Sequence, residues 1–301
     1  MLHWRPSLKV LARAQGVRAK SGTLPEIVYP QGIEKDLAGI YLRVVREWQS
    51  LSRSVILPAY ALAVARDNLR REWSHADAQQ ALRDHARAFL DGVSPVVLLD
   101  DVNEGADAMR RAEGWLTRVV AELSSALGTW AVRSEEYHRK EFRKGILNAT
   151  TVDLNTMLGP WGARETIETV MARNMALIRN VSDQTRDRIA DIFFRNYQLR
   201  TPLREVAKQI SEATGLARDR SLRIASDQTV KMAAALDEER QREVGIDEWI
   251  WRHSGKVHFR PEHKARNGKH YNWRTARSIL KGDLPGVLPF CGCKAQAYFR
   301  I

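Results

Sequence analysis

The stretch WIWRHSGKVHFRPEHKARNGKHYNW, from Trp249 to Trp273, holds the densest group of reactive side chains in this chain. It opens with tryptophans at alternate positions, the period-two pattern of a half-buried strand. Four of the eight histidines of the protein lie within it, and both cysteines follow at Cys291 and Cys293. We therefore look for function first in residues 249–299, called the tail below.

Helical periodicity dominates the chain before the tail. From Ile33 onward, apolar residues recur every three or four positions, which is the pattern of amphipathic helices. Period-two alternation appears at Trp249 and again in the terminal AQAYFRI, so two short strands are expected to close a small sheet. The sequence thus predicts a mostly α fold, with an elongated helical N-terminal and middle part and a small α+β C-terminal domain. Helices are predicted over residues 33–57, 59–73, 77–90, 101–144, 163–178, 182–197, 202–215 and 216–244.

Turn-forming residues divide the chain into four predicted parts. Prolines and a glycine near the start predict an extended basic arm over 1–31, and a turn-rich connector predicts a linker over 148–162. Residues 32–147 form a predicted helical domain. Residues 163–301 form a predicted domain of helices followed by the basic tail. The basic turns before Gly145 are expected to end a helix, because cations suit the negative end of its dipole.

The balance of charge points to an anionic partner. The chain carries a formal net charge of +12 and has a pI near 9.9, which favours polyanions such as nucleic acid. Its first 22 residues hold five basic and no acidic side chains, a pattern typical of a transit peptide or of a basic arm that docks on an acidic partner. The longest apolar stretch, Val55–Ala65, contains Pro58 and is too short for a membrane span. Two cysteines do not make a disulfide framework and indicate a reducing compartment.

Basic and aromatic residues interleave in the tail, a composition that suits a phosphate backbone and stacked bases. The interleaved aromatics are Phe259, Tyr271 and Trp273. The alternative is that these aromatics form the core of a small sheet and the cations form its solvated rim. The predicted nucleic-acid-binding residues are Arg252, Lys256, Arg260, Lys264, Arg266, Lys269 and Arg274.

The histidines and cysteines of the tail suggest a second hypothesis, a zinc site. Thiolate and imidazole are preferred zinc ligands, and the predicted metal ligands are His263, His270, Cys291 and Cys293. His258 and His253 are candidates for completing a tetrahedral set. Paired cysteines of structural zinc sites usually have two residues between them, whereas only Gly292 lies between Cys291 and Cys293. The alternative is that both cysteines are buried small hydrophobes in a tight turn, with no cofactor.

A metal-dependent nuclease is a third hypothesis for the tail. His263, Asn267 and His270 would supply a general base and polar ligands within a basic loop. The sequence offers no paired carboxylates for Mg²⁺, no glycine-rich phosphate loop and no serine elbow. We therefore do not expect an enzyme.

From about Asn180 onward, the order of motifs resembles the phage Mu F-like, or head-morphogenesis, family of minor head proteins. A helical pair and an arginine-rich helix are followed by a W-x-W strand, an R-P-x-H segment and a late cysteine pair. The family commonly has an acidic residue near Ser254-Gly255-Lys256 and an arginine at Gly292, so roles of those positions are not carried over. The matching elements are NVSDQTRDRIADI, LREVAKQI, RDRSLRIASDQTVK, Gly245-Ile246, Trp249-Ile250-Trp251, Arg260-Pro261-Glu262-His263, Asn267-Gly268-Lys269, Trp273, Pro285-Gly286 and Cys291-Gly292-Cys293.

The resemblance implies a minor capsid protein of a tailed bacteriophage, incorporated at the portal vertex during head assembly. The implied partners are the portal protein, capsid and scaffold proteins, and double-stranded DNA during packaging or ejection, with no membrane. The implied location is the virion head near the portal vertex, and the host cytoplasm during assembly. The alternative function is a DNA-binding protein or metal-dependent nuclease that acts through the tail.

Overall fold

The computed structural model describes residues 6–72, 101–155 and 158–301. The predicted helix over 77–90 lies outside these residues. Contacts between Cα atoms divide the chain into two compact units that are each built from separate stretches, and the four-part division predicted from the sequence stays a prediction. Unit 1 comprises Met1–Ile40, Leu123–Leu177 and Leu222–Ile301, and unit 2 comprises Tyr41–Glu122 and Ile178–Ser221.

The described chain is mostly helical, and its strands form one small antiparallel sheet, which confirms the predicted fold class. A π-helical segment, Ser52–Ile56, joins α2 to α3, and a 3₁₀ turn, Pro160–Ala163, precedes α5. The helices are α1 (Leu8–Ala14), α2 (Gln31–Leu51), α3 (Leu57–Glu72), α4 (Asp101–Thr150), α5 (Arg164–Leu199), α6 (Leu203–Glu243), α7 (Pro261–Ala265) and α8 (Trp273–Ile279). The strands are β1 (Ser21–Thr23), β2 (Glu248–Arg252), β3 (His270–Asn272) and β4 (Lys294–Arg300).

Two helix breaks predicted in the middle of the chain are wrong. Helix α5 continues through Ser182, whose hydroxyl accepts a hydrogen bond from the Trp48 indole (3.2 Å) instead of capping a helix end. Helix α6 continues through Gly215. A single glycine costs a helix only about 1 kcal/mol, which packing of the flanking turns outweighs. The predicted start of α6 after Pro202 is confirmed, since the Pro202 carbonyl accepts from the Glu205 and Val206 amides.

The predicted end of the long helix α4 near Gly145 is also wrong. The helix runs on to Thr150, and Thr151 leaves the helix with a positive φ of 63°. A helix-dipole effect therefore does not explain the basic turns before Gly145. One of these cations, Arg139, instead pairs with Glu135 one turn earlier (3.1 Å).

The predicted extended conformation of the N-terminal residues is wrong for 8–14, which form helix α1, whereas residues 21–23 are extended as a strand of the sheet. Ser7 caps α1 by accepting from the Val10 amide (3.4 Å), and α1 buries Leu8 and Ala12. Helix α1 forms although its apolar repeat is short, because tertiary contacts, rather than its length, stabilise the helix. Residues 21–23 pair as β1 with the last strand, β4.

The sheet has the strand order β1-β4-β2-β3, with antiparallel neighbours throughout. Trp249 stands opposite Ala297, and Trp251 stands opposite Ala295. Directly opposed residues share a face of a sheet, so each large indole lies over a small side chain. The two predicted strands are confirmed, while β1 and β3 were not predicted because three residues are too few to show alternation.

The inner face of the sheet packs on two groups of buried side chains in unit 1. One group surrounds Trp249 and Trp251, and it includes both cysteines. The other joins α1 and the end of α4 to Phe299 of β4. The tail is therefore held by buried contacts to helices far away in sequence.

Unit 2 has its own buried core. Tyr60 meets Phe193 edge to face, with ring centroids 5.5 Å apart. Its hydroxyl donates to the Thr201 carbonyl (2.6 Å), which fixes the α5–α6 connection.

Across the described part of the chain, no helix combines the length and the apolar character needed to cross a bilayer.

Candidate functional site

His263, Cys291 and Cys293 meet inside the tail. Nδ1 of His263 lies 3.5 Å from Sγ of Cys291 and 3.7 Å from Sγ of Cys293. All three side chains are buried, and their ligand atoms lie within 4.8 Å of one another. In the described ranges, this is the one group of three or more His, Cys, Asp or Glu residues with metal-ligand spacing.

Helix α7 places His263 in this cluster. The helix begins at Pro261, whose ring suits a first helical position, and His263 on its buried side is only 2% exposed. The edge of the imidazole ring faces Trp251 of β2, with ring centroids 5.0 Å apart. The neighbouring strand thus restricts the orientation of the ring.

Helix α6 anchors the loop that carries the cysteines. The ammonium group of Lys231 donates to the Leu288 carbonyl (2.9 Å) and to the Asp227 carboxylate (2.8 Å). The same carboxylate accepts from the Phe290 amide (2.6 Å), one residue before Cys291. Burial lowers the pKa of Lys231 despite its pairing with Asp227. This buried ion pair fixes residues 286–290 and hence the position of the first cysteine.

A carboxylate stands on the far side of the imidazole. Both oxygens of Asp283 lie near Nε2 of His263, at 3.1 and 3.0 Å. Arg266 binds the same carboxylate (2.7 Å) and lies over the Trp251 ring, 5.0 Å from its centroid. A carboxylate at Nε2 favours the tautomer with its proton on Nε2, which directs the Nδ1 lone pair toward the two sulfurs.

The two thiols share protons unequally. The hydrogen bond from Cys293 lowers the pKa of Cys291 to about 5, against the opposing effect of burial. The same hydrogen bond, together with burial, raises the pKa of Cys293 well above its usual range. The lowered pKa favours the thiolate form of Cys291. A thiolate is the form that binds metal.

The structure does not bring the predicted ligand His270 into this cluster. His270 is an exposed residue of β3, where its ring meets the edge of Tyr298 at 5.1 Å. His253, a candidate for the fourth ligand, accepts from the Gly255 amide through Nδ1 (3.1 Å) and meets Phe259 edge to face. His258 is exposed.

The seven predicted nucleic-acid-binding residues differ in what they contact. Arg266 and Arg274 have carboxylate partners, Asp283 and Asp247 respectively. Lys264 is exposed, with its ammonium 4.9 Å from the centre of the Phe259 ring. Lys269 is also exposed. The remaining cations contact other groups of the tail: Arg252 donates to Gln296 (2.6 Å), Lys256 to the Phe290 carbonyl (3.3 Å) and Arg260 to the Pro289 carbonyl (3.2 Å).

Sequence reasoning missed the residues that support the cluster. Asp283, Asp227 and Lys231 lie outside the histidine-rich stretch, and the last two are on α6, at least 55 residues before the loop residues that they contact. One signal for Asp283 was available, since it is one of only two acidic residues in a tail with ten basic ones. An isolated carboxylate in such a stretch tends to be paired.

The part of α6 after Ser221, the tryptophan strand and the cysteine loop thus occur in this order along the chain and pack together in unit 1. Residues 195–296 match the family model described as Phage Mu protein F like protein. This Mu F-like segment extends from the end of α5 into β4, and the match confirms the resemblance over these residues.

A protein of Haemophilus influenzae described as "Uncharacterized protein" is 26% identical over 162 residues. The aligned stretch covers 54% of this chain and 36% of that relative, so the chain spans only about a third of the relative's length. No solved structure matches the chain. The His–Cys cluster and most of the tail lie within the Mu F-like segment.

Proposed function

We propose that this chain is a minor head protein of a tailed bacteriophage, incorporated at the portal vertex during head assembly. The observation that carries this proposal is the match of residues 195–296 to the Mu F-like family, a family of head morphogenesis. The proposed partners are the portal protein and the capsid and scaffold proteins, and the proposed location is the virion head.

A phage that lacks the gene tests this role. The deletion should lower the yield of infectious, DNA-filled heads, and the wild-type gene supplied in trans should restore it. Mass spectrometry of purified virions should detect the protein in wild-type particles. A normal titre of the deletion phage, or virions without the protein, would contradict the proposal.

We further propose that the tail contacts double-stranded DNA. The tail carries ten basic and two acidic residues, so its net charge of +8 is two thirds of the +12 of the whole chain. Lys264 and Lys269 are exposed, and Phe259 beside Lys264 is 44% exposed. The ammonium suits a phosphate of the duplex backbone, and the exposed ring beside it suits the adjoining sugar.

Charge reversal separates these lysines from the cations that support the fold. The double variant Lys264→Glu/Lys269→Glu should bind a DNA duplex more weakly, with a shallower dependence on salt. Each lost phosphate contact removes about 0.9 from the slope of log K against log salt concentration. The control Lys35→Glu/Lys208→Glu makes the same charge change at exposed residues outside the tail and should retain the wild-type slope. Equal losses in both variants would mean that net charge, and not the tail, governs binding.

The contacts favour binding over hydrolysis of DNA. Of the two acidic residues in the tail, Asp283 is engaged by His263 and Arg266, and Glu262 is exposed. Phosphodiester hydrolysis with two metal ions needs several oxygen ligands around one point. Duplex DNA should therefore stay intact when incubated with the protein and Mg²⁺, Mn²⁺ or Zn²⁺, and metal-dependent cleavage by the purified protein would overturn this assignment.

A further inference from the structure

The spacing of the His–Cys cluster is that of a single tetrahedral ion. Zinc bonds of about 2.3 Å to sulfur and about 2.1 Å to nitrogen place the two donor atoms about 3.6 Å apart. The observed separations from His263 Nδ1 are 3.5 Å to Cys291 and 3.7 Å to Cys293. We propose that Nδ1 of His263 and the sulfurs of Cys291 and Cys293 bind a zinc ion, with the fourth position taken by water or another small ligand.

The support around His263 is the kind that zinc-binding histidines have. Such histidines usually give their second ring N–H to a carboxylate, which fixes the tautomer and the ring orientation. Asp283 occupies that position, 3.0 Å from Nε2, and is itself held by Arg266. The imidazole thus has its free lone pair aimed at the sulfurs before any ion binds.

The single residue between the cysteines is compatible with this site. Phe290 adopts a positive φ of 59° just before the pair, which turns the chain sharply. A Cβ at Gly292 would lie 2.9 Å from the Ser254 and Lys256 side chains. Glycine therefore lets the 254–256 loop pack directly on the cysteine turn. Both sulfurs consequently reach the same imidazole nitrogen.

The same three residue types could also form a cysteine nucleophile with its base. A nucleophilic thiolate must be reached by its substrate, but Cys291 is only 4% exposed. Cys293 also approaches the imidazole nitrogen that a single nucleophile would use. Two buried sulfurs at one lone pair suit an ion better than a substrate.

A zinc ion here would join two separate pieces of the tail. Its ligands come from α7 and from the turn that leads into β4, and they lie among the tryptophans of β2 and α8. Binding free energy of this kind is folding free energy, because the unfolded chain does not preform the site. The ion would act as a structural cross-link, and this inference does not depend on the proposed role in head assembly.

Elemental analysis of the full chain tests the proposal directly. The protein should be purified under reducing conditions and without a metal-affinity step. Zinc should be present in an equimolar amount, and the variants His263→Ala, Cys291→Ser and Cys293→Ser should lose it. The matched control His270→Ala removes an exposed histidine of the same tail and should keep the full amount. Wild-type protein without zinc that also fails to take up added Zn²⁺ would overturn the proposal, as would equal loss in the control.

Measurements on the wild-type chain keep the test valid if the variants do not fold. Replacement by Co²⁺ should give the intense thiolate-to-cobalt charge-transfer absorption together with the visible bands of a tetrahedral ion. Removal of the ion by a chelator should lower the melting temperature and expose both thiols to alkylation, and added zinc should reverse both changes. An octahedral Co²⁺ spectrum without thiolate bands, or rapid alkylation of Cys291 in the presence of excess zinc, would contradict the site.

Discussion

The carboxylate of Asp283 lies 3.0 Å from Nε2 of His263, on the side of the ring opposite the two cysteine sulfurs. By accepting a hydrogen bond from Nε2, it makes the Nδ1 lone pair available as a ligand. The substitution Asp283→Ala should therefore weaken zinc binding by about 10–100-fold, the usual effect of losing such a support. Competition with a chromogenic chelator measures this change.

A control for this substitution lies in the same unit. Asp247 also pairs with an arginine, Arg274, but at the surface and away from a metal-ligand group. Asp247→Ala should leave zinc affinity at the wild-type level. If Asp283→Ala also keeps wild-type affinity while both proteins melt normally, the carboxylate does not orient the ligand.

The N-terminal helix should contribute to stability through one face. Leu8 is 2% exposed and packs with Phe142 and Ile246, whereas Val10 on the same helix is 44% exposed. Leu8→Ala should cost about 2–4 kcal/mol, because it leaves a cavity in a packed core. Val10→Ala should change stability by less than about 0.5 kcal/mol. Urea unfolding followed by circular dichroism measures both, and equal effects would show that α1 is not part of the core.

The sequence predicted the fold class and the confirmed strands because both depend on local periodicity. In β2 and in β4, a few consecutive residues are enough to show which side chains face the core, because apolar and polar residues alternate. One helix boundary failed because Ser182 makes a distant contact, and another failed because the packing of a helix outweighs the cost of a single glycine. Ser182 looks like a cap but binds the indole of Trp48, and Gly215 looks like a stop but lies within α6. The contact of Ser182 with Trp48 joins residues far apart in the chain, so no short window of sequence shows it.

Three of the four candidate ligands predicted from the sequence lie together in the structure, but the residues that support them were not predicted. His263 and the cysteine pair stand out by residue type, so composition was sufficient to select them. Nothing local separates His263 from His270, since both are histidines in a basic stretch. Only the inward turn of α7 and the position of β3 distinguish the buried ring from the exposed one. Likewise, Lys231 supports the cysteine loop from a helix that joins it only in three dimensions.

The turn before the cysteines requires glycine at one position for two reasons. Gly286 has a φ of +75°, and a Cβ there would lie 2.6 Å from Cβ of Ala234 on α6. Gly282 has a similar φ of +80° but no atom within 4 Å of such a Cβ. Gly282→Ala should thus cost about 1–2 kcal/mol from backbone strain alone. Gly286→Ala should cost about 1–3 kcal/mol more, because overpacking adds to the strain.

Thermal or urea unfolding of the two glycine variants gives the comparison. The difference between them isolates the contact with α6, since the backbone strain is common to both. Gly286→Ala should also reduce zinc content if the cysteine loop shifts, whereas Gly282→Ala leaves that loop anchored. A larger loss of stability in Gly282→Ala than in Gly286→Ala would contradict the close packing of this turn on α6.

Arg240 is a fully buried cation of α6 that binds two carboxylates, those of Glu135 on α4 and Glu243 on its own helix. Burial lowers the pKa of Arg240, while the charge of Glu135 opposes that effect. Arg240→Ala would remove a buried cation that both carboxylates share, and breaking a buried ion pair usually costs about 3–5 kcal/mol; Glu135 would keep its contact with the half-buried Arg139. Arg223→Ala, an exposed arginine of the same helix, should change stability by less than about 0.5 kcal/mol. Urea unfolding of the two variants measures the difference. Because both substitutions remove one arginine, a difference in net charge cannot explain a difference in stability. Equal stabilities would mean that the contacts of Arg240 with Glu135 and Glu243 do not stabilise the packing of α4 on α6.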